Sequence, residues 1–325
     1  MAPSLAARAV VGLYPQAQGQ AVGAGLGWGL MAPEDSPHPA TNDDGVPLVP
    51  LPCGARVPCL GQGTWFMGED PSRADEERRA LRAGLDAGLT LVDTAEMYGD
   101  GAAEALVGEA IAGRRDEVFL VSKVLPWNAT RRGTAQALEG SLRRLRTDYL
   151  DLYLYHWRGS TPLAESIEAL MRLQEEGKIR AWGVSNLDPA DLAELAHIPG
   201  ATSATGFQTD QVLYNLARRG IEFDLLPRLR RSRVPVMAYS PIEQGRLLGH
   251  RALASVAARH GTSEAQVALA WVLRDDGVIA IPKSSTPQHT LENRSALGIR
   301  LTPDDLAVLD AAFPAPRRAV PLEML

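Results

Sequence analysis

Leu89-Thr90-Leu91-Val92-Asp93-Thr94-Ala95-Glu96-Met97-Tyr98-Gly99 is the stretch that decides how this chain is read. A short strand-like run ends on an acid, and a phenol follows five positions later in the loop. The same arrangement recurs. Lys123 follows Val118-Phe119-Leu120-Val121-Ser122, and His156 follows Leu150-Asp151-Leu152-Tyr153-Leu154-Tyr155. Ser185-Asn186 follow Ala181-Trp182-Gly183-Val184, Tyr239-Ser240 follow Val234-Pro235-Val236-Met237-Ala238, and Lys283-Ser284 follow Val278-Ile279-Ala280-Ile281-Pro282. Parallel strands that open onto one face build active sites from residues at their ends, so the pattern predicts an α/β fold of the (β/α)8 TIM-barrel type.

Strand-like runs fall at about 61–65, 89–93, 118–122, 149–155, 180–184, 206–210, 235–239 and 278–281. Helical stretches fall at 74–87, 102–112, 133–145, 163–176, 190–196, 222–231, 252–260, 263–274, 287–296 and 303–312. Eight strands alternating with helices imply parallel pairing. Asp188-Pro189, Thr302-Pro303 and Thr286-Pro287 each supply a capping side chain followed by a proline at the first helical position. An open doubly wound sheet would announce a dinucleotide site with G-x-G-x-x-G after its first strand. Gly61-Gln62-Gly63-Thr64-Trp65-Phe66 lacks the third glycine, and Gly23-Ala24-Gly25-Leu26-Gly27 follows no strand. The barrel is therefore expected.

Residues 46–325 are expected to form that barrel, with 46–59 as a β-hairpin broken by Gly54-Ala55 that plugs one end. Residues 1–45 are rich in Ala, Gly and Pro, lack a period, and read as a disordered extension; Met31 is an alternative start. The stretch 6–14 is too weak for a secretory signal and holds Arg8. Cys53 and Cys59 are read as small apolar residues of the hairpin, a cross-strand disulfide being the alternative. No second cysteine pair or nearby histidine suggests a metal site. A net charge of -6 argues against a nucleic-acid partner, and no apolar run approaches the roughly 20 residues of a membrane span. The low cysteine count suits a cytoplasmic protein.

A phenol is a poor proton donor or acceptor at neutral pH unless its anion is stabilised. Lys123, at the end of the neighbouring strand, would do that, and Asp93 would hold Lys123 charged and in place. His156, one strand further on, would share the same carbonyl oxygen through a ring N–H. Taken singly, each is as well explained as a solvated or structural residue; four of them on three consecutive strand ends share one mechanism. At the far end of the chain, Lys283, Ser284, Ser285 and Thr286 precede a helix that begins at Pro287. An ammonium, hydroxyls and free backbone N–H groups there make a site for a phosphate dianion.

With these residues the chain resembles the aldo-keto reductases over about residues 46–317. The resemblance rests on Gly61-Gln62-Gly63-Thr64-Trp65, Asp93-Thr94-Ala95 with Tyr98-Gly99, Ser122-Lys123-Val124 and His156-Trp157. Gly183-Val184-Ser185-Asn186, Ala238-Tyr239-Ser240-Pro241 and Ile281-Pro282-Lys283-Ser284 complete it. Residues 63–70 and Pro314-Ala315-Pro316 resemble the bacterial subgroup that reduces methylglyoxal and similar aldehydes. The resemblance implies a catalytic tetrad of Asp93, Tyr98, Lys123 and His156, in which hydride passes from NADPH to a carbonyl and Tyr98 is the general acid, its pKa lowered by Lys123 and Asp93. It further implies that Ser185, Asn186 and Gln211 bind the nicotinamide carboxamide and that Tyr239 stacks on the ring. Gly63, Thr64, Trp65, Ser240 and Pro241 join the cofactor track.

Gln211 follows Asp210 where the family more often has Asn, which adds a negative charge near the sixth barrel strand's end; Gln208 is the competing glutamine. At the adenosine end, Lys283 with Ser284, Ser285 and Thr286 favours the 2′-phosphate of NADPH, with NADH tolerated. The position where many relatives carry arginine reads His289, a weaker cation. Glu292 and Asn293 would meet the adenine. Trp65, Trp127, Trp157 and Met97, with Phe66 beside them, would wall an apolar substrate pocket. Only 314–325 remain after the last helix, which implies an open pocket. A metal-dependent hydrolase would need clustered His and carboxylate ligands, and only His156 occupies a strand end. The alternative of another class is a nicotinamide-nucleotide-sensing binding module with little turnover. Partners are therefore expected to be a small carbonyl compound and the cofactor, in a monomer or weak oligomer.

Overall fold

Strands and helices alternate along residues 40–325, which a computed structural model describes. Residues 1–39 of the expected extension lie outside the described residues. Residues 40–45 lead into a turn in which Asn42 Oδ1 accepts from the Val46 amide (2.8 Å) and Nδ2 donates to the Gly88 carbonyl (2.9 Å).

The hairpin comes first: β1 (Leu48–Pro50) pairs antiparallel with β2 (Arg56–Pro58) around Gly54, whose φ of 89° suits the tight turn. The Cys53 amide at its tip donates to Gln208 Oε1 (2.8 Å) at the start of a barrel strand, which seats the hairpin on the base of the barrel. Cys53 and Cys59 are both free thiols.

Eight parallel strands follow: β3 (Gln62–Gly63), β4 (Leu91–Asp93), β5 (Phe119–Val124), β6 (Leu150–Tyr155), β7 (Ile179–Ser185), β8 (Phe207–Leu213), β9 (Val236–Tyr239) and β10 (Val278–Ala280). Each pairs with the next in chain order. The sheet closes where the Gly61 amide donates to the Ala280 carbonyl (2.8 Å) and the Gly63 amide to the Pro282 carbonyl (3.0 Å). The first barrel strand is shorter than the expected 61–65, because the chain turns at Thr64 and Phe66 takes a φ of 64°. β8 runs three residues further than expected, to Leu213, and stays paired with β9 throughout.

Helices α1 (Ala74–Asp86), α2 (Ala102–Ala110), α3 (Arg131–Leu145), α4 (Leu163–Glu175), α5 (Pro189–Leu195) and α6 (Leu225–Arg231) each return the chain between successive strands. α7 (Arg251–His260) and α8 (Glu264–Val272) both lie between β9 and β10, and α9 (Pro287–Ser295) and α10 (Pro303–Ala312) follow the last strand. All ten match the expected helices. Asp188, Thr286 and Thr302 cap α5, α9 and α10 as their sequences imply. α6 begins later than expected, at Leu225, because Asp224 caps it and residues 220–222 form a separate tight turn. No helix among the described residues is long and apolar enough to cross a membrane.

Helix α1 is locked to the barrel through one buried amide. Gln62 Nε2 donates to the Leu81 carbonyl (3.2 Å) and the Leu89 carbonyl (2.9 Å), so the strand, the helix and the following loop share a side chain. Gly84 is the residue that leaves room for it: a Cβ there would collide with the Gln62 amide. Gly84→Ala should therefore cost about 1–3 kcal/mol, despite alanine's better helix propensity. Urea unfolding checks this, and an unchanged or raised midpoint would show that Gln62 moves aside freely.

Candidate active site

The C-terminal ends of the strands surround a cavity of about 630 Å³. Asp93 ends β4, Lys123 lies next to last in β5, and His156 follows β6 directly. Lys123 is fully buried, and its three donors are all used: Nζ lies 2.7 Å from Asp93 Oδ2, 2.9 Å from the Thr94 carbonyl and 3.1 Å from Tyr98 Oη. Asp93 Oδ1 accepts from Gln211 Nε2 at 2.7 Å, which joins the cluster to β8 across the barrel. Tyr98 sits edge-on to His156, with ring centroids 6.0 Å apart. His156 Nδ1 is buried with no hydrogen-bond partner among the described residues.

Burial dominates the protonation of this cluster. For Lys123 burial pulls the pKa down, but the charges and hydrogen bonds of Asp93 and Tyr98 outweigh it and the net shift is upward. Burial pushes Asp93 up, against the pull of Lys123 and Gln211. Both carboxylate oxygens accept hydrogen bonds from donors, which is the arrangement an ionised carboxylate needs. Burial also holds His156 well below the usual histidine value, with Lys123 adding to the effect, so its ring is neutral at neutral pH. The expected net lowering of Tyr98 is corrected. Burial raises the phenol, Lys123 lowers it, and Asp93, a like charge to the phenolate, raises it further.

A second arc of side chains continues from His156. Asn186 Nδ2 donates to the His156 carbonyl (3.2 Å) and Ser185 Oγ (3.0 Å), Ser185 Oγ donates to the Gln211 carbonyl (2.8 Å), and Tyr239 Oη donates to Asn186 Oδ1 (3.0 Å). Phe66, Asn186, Ser240 and Gln244 all have φ between 47° and 64° and all line the cavity. Strained backbone of this kind clusters at functional sites. Gly63, Thr64, Trp65, Met97, Trp157, Pro241 and Lys283 line the same space.

Trp127 does not line it. The indole is 67% exposed and packs edge-on against Trp157 at 5.9 Å, on a loop pinned by Glu96 through the Leu125 amide and Asn128 Nδ2. The pocket is also less open than its short tail implies. An ion pair between Arg218 and Glu323 (2.5 Å) holds the tail, and Met324 and Leu325 form part of the wall. Ile242 and Gly245 line it too. The apolar pair after Glu323 was the one sequence signal for this wall.

A second cavity, of about 900 Å³, shares Ile242 and Lys283 with the first. Ser284, Ser285, Thr286, His289, Glu292 and Asn293 line it, as do Leu248 and Arg73, which the sequence did not single out. Several of the hydroxyls have internal partners: Ser284 Oγ accepts from Asn293 Nδ2 (2.9 Å), Ser285 Oγ donates to the buried Glu77 (3.1 Å), and Thr286 Oγ1 caps α9.

The two glutamines separate cleanly. Gln208 sits at the base of β8, bonded to the hairpin and to the Ala204 and Gly206 carbonyls, whereas Gln211 faces the cavity. Asp210 brings no negative charge to the mouth, which corrects that expectation. Its side chain is fully buried away from the cavity, and neither oxygen has a hydrogen-bond partner of good geometry. Burial raises its pKa well above the ordinary carboxylate value, with Asp191 and Asp188 adding to the rise and the Leu187 amide opposing it. It is read as a neutral acid.

A family model for the aldo/keto reductase family matches residues 59–313. The chain is 53% identical over 274 residues to methylglyoxal reductase YeaE of Escherichia coli (strain K12), an overlap of 83% of this chain and 95% of that one. It is 50% identical to an aldo/keto reductase from Klebsiella pneumoniae solved in complex with NADP and acetate, covering 86% of this chain and 99% of that one with a TM-score of 0.83. A Klebsiella pneumoniae aldo-keto reductase solved with NADPH gives 49% identity, the same coverages and the same TM-score.

The state of Asp210 has a measurable consequence. With a folded pKa above the unfolded value near 4, its contribution to stability is full below that pH and is lost as pH rises toward the folded pKa. The stability of Asp210→Asn relative to wild type should therefore climb with pH above about 5, by up to about 1.4 kcal/mol per pH unit. Urea midpoints of both proteins between about pH 5 and about pH 8 test this, and a gap independent of pH would mean that Asp210 is ionised in the fold. With both cavities and the cluster described, the chain belongs to the aldo/keto reductase family.

Proposed function

We propose that the protein reduces small aldehydes, 2-oxoaldehydes such as methylglyoxal among them, to alcohols with NADPH, and that Tyr98 is the proton donor. The observation that carries this reading is the buried Lys123 ammonium 3.1 Å from Tyr98 Oη and 2.7 Å from Asp93, two residues that line the strand-end cavity. A methylglyoxal reductase among the relatives and NADP(H) in the related structures support the choice of reactants.

The residues present fit a nicotinamide dinucleotide. Two cavities that share Lys283 and Ile242 offer space for its two halves. At the inner half, Gln211 Nε2 is taken by Asp93 and the Met237 sulfur (2.9 Å), which leaves Oε1 to accept from a carboxamide. Ser185 and Asn186 complete that site, and Tyr239 is the aromatic for the ring. At the outer half, Lys283 with the amides before α9 suits a phosphate, and Glu292 and Asn293 suit the adenine.

When bound, NADPH supplies the hydride. The protein's own part is to place and neutralise the carbonyl oxygen. A raised pKa keeps Tyr98 protonated until charge develops on that oxygen, and the phenol then gives up its proton. Lys123 stabilises the phenolate left behind, and Asp93 keeps Lys123 charged and fixed. Neutral His156 orients the carbonyl through a ring N–H. Trp65, Trp157 and Met97 exclude water around the substrate.

Oxidation of NADPH in the presence of methylglyoxal should fall about 100-fold or more in Tyr98→Phe, while nucleotide binding measured by fluorescence survives. Turnover as fast as wild type would remove Tyr98 from the role of proton donor. Lys283→Met should raise the NADPH dissociation constant at least about tenfold and leave that for NADH little changed. Equal weakening of both would refute the 2′-phosphate assignment.

A further inference from the structure

We propose that Arg73 is the second cation of the adenosine-phosphate site, acting with Lys283 on the cofactor's 2′-phosphate in the place that α9 gives to His289. The proposal rests on the NADPH reading above. Arg73 comes from the loop between β3 and α1, far in sequence from Lys283, yet both side chains line the outer cavity. Arg73 is exposed, and its guanidinium makes no hydrogen bond or ion pair among the described residues. The acids beside it in sequence have other partners: Asp70 is engaged by the amide and hydroxyl of Ser72 (2.9 and 2.7 Å), and Asp75 pairs with Arg78.

The geometry points the cation at an anion. Burial lowers the pKa of Lys283 most, Glu77 and Glu69 raise it and Arg73 lowers it, and the two cations line one cavity with no hydrogen bond or ion pair to an acid of the protein among the described residues. Of the hydroxyls of the site, Ser285 spends its donor on Glu77, whereas Ser284 and Thr286 accept from Asn293 and from the α9 backbone and keep their O–H groups for an anion. A phosphate dianion would meet both cations and take the planar fork of the arginine in two parallel bonds.

The same region explains how a loop residue is held there. Glu77, buried one turn beyond Arg73, accepts from Ser285 Oγ (3.1 Å) and from the Gly68 amide (2.8 Å). That carboxylate pins the first turn of α1 and the first loop onto the phosphate loop, and Arg73 sits where that turn begins. His289, in contrast, is exposed on α9.

The test is a fluorescence titration of Arg73→Met and wild type with NADPH and with NADH. The variant should bind NADPH about tenfold more weakly and NADH within about twofold of wild type. Added salt should weaken NADPH binding less steeply in the variant than in wild type. Unchanged NADPH affinity would overturn the assignment. Equal weakening of both nucleotides would move Arg73 to the pyrophosphate and overturn it as well. Wild-type protein that binds neither nucleotide would instead overturn the cofactor reading, which separates the two failures.

Discussion

A lysine ammonium with no exposure to water is the constraint around which the mouth of this barrel is built. An isolated buried charge is costly, so Lys123 exists there only because every donor is met: a carboxylate, a backbone carbonyl and a phenol. The topology supplies these partners. β4 and β5 are neighbours, so Asp93 and the Thr94 carbonyl arrive from one strand end and Tyr98 from the loop that follows it. Asp93 in turn needs its second oxygen satisfied, and Gln211 reaches it from β8 on the other side of the barrel. A buried pair of this kind contributes little to net stability, yet it fixes the relative positions of four side chains to hydrogen-bond precision.

From that pair the polar network divides. Toward one side it ends at the Tyr98 phenol, with the neutral His156 imidazole edge-on beside it. Toward the other it runs from the Gln211 carbonyl through Ser185 and Asn186 to Tyr239. Asn186 is the hinge between the halves, since its amide also holds the His156 carbonyl. It takes a left-handed backbone conformation to do so, which asparagine adopts more readily than most residues. The Tyr98 cluster and the arc of Ser185, Asn186 and Tyr239 are thus parts of one hydrogen-bonded unit, and an error in either would move the other.

The sequence made the elements legible because helices and strands here follow local rules: periodicity, capping residues and the strand-end polar groups. Boundaries slipped where a tertiary contact decided them. β3 ends early because Thr64 turns to donate to the Asp93 carbonyl (3.0 Å), and β8 extends to Leu213 because β9 continues to pair with it. That extension is what brings Gln211 to the mouth and leaves Gln208 at the base. Properties set by burial were illegible. The sequence placed Lys123 near Tyr98 but had no means of weighing an ammonium against complete desolvation, so the direction of the phenol's shift came out reversed. Asp210 was misread for the same reason, since facing inward or outward is a property of the strand's register. Trp127, the tail and Arg73 depended on the routes of loops, for which a single sequence carries no period.

The residues that came from loops and tail share a property. The polar cluster is carried by strand ends, whereas the apolar wall is assembled from separate connections: Trp65 and Phe66 from the first loop, Met97 from the second, Trp157 from the fourth, and Met324 and Leu325 from the tail. Strand ends are held by the whole barrel ladder; the tail is held by the packing of Leu322 on the core, the Leu325 backbone at the Tyr239 hydroxyl and one partly exposed ion pair between Arg218 and Glu323. The ion pair itself is worth at most about 1 kcal/mol. The fold therefore separates two parts of the cavity: the polar cluster stands on the hydrogen-bonded barrel strands, and the apolar wall on loops and the tail.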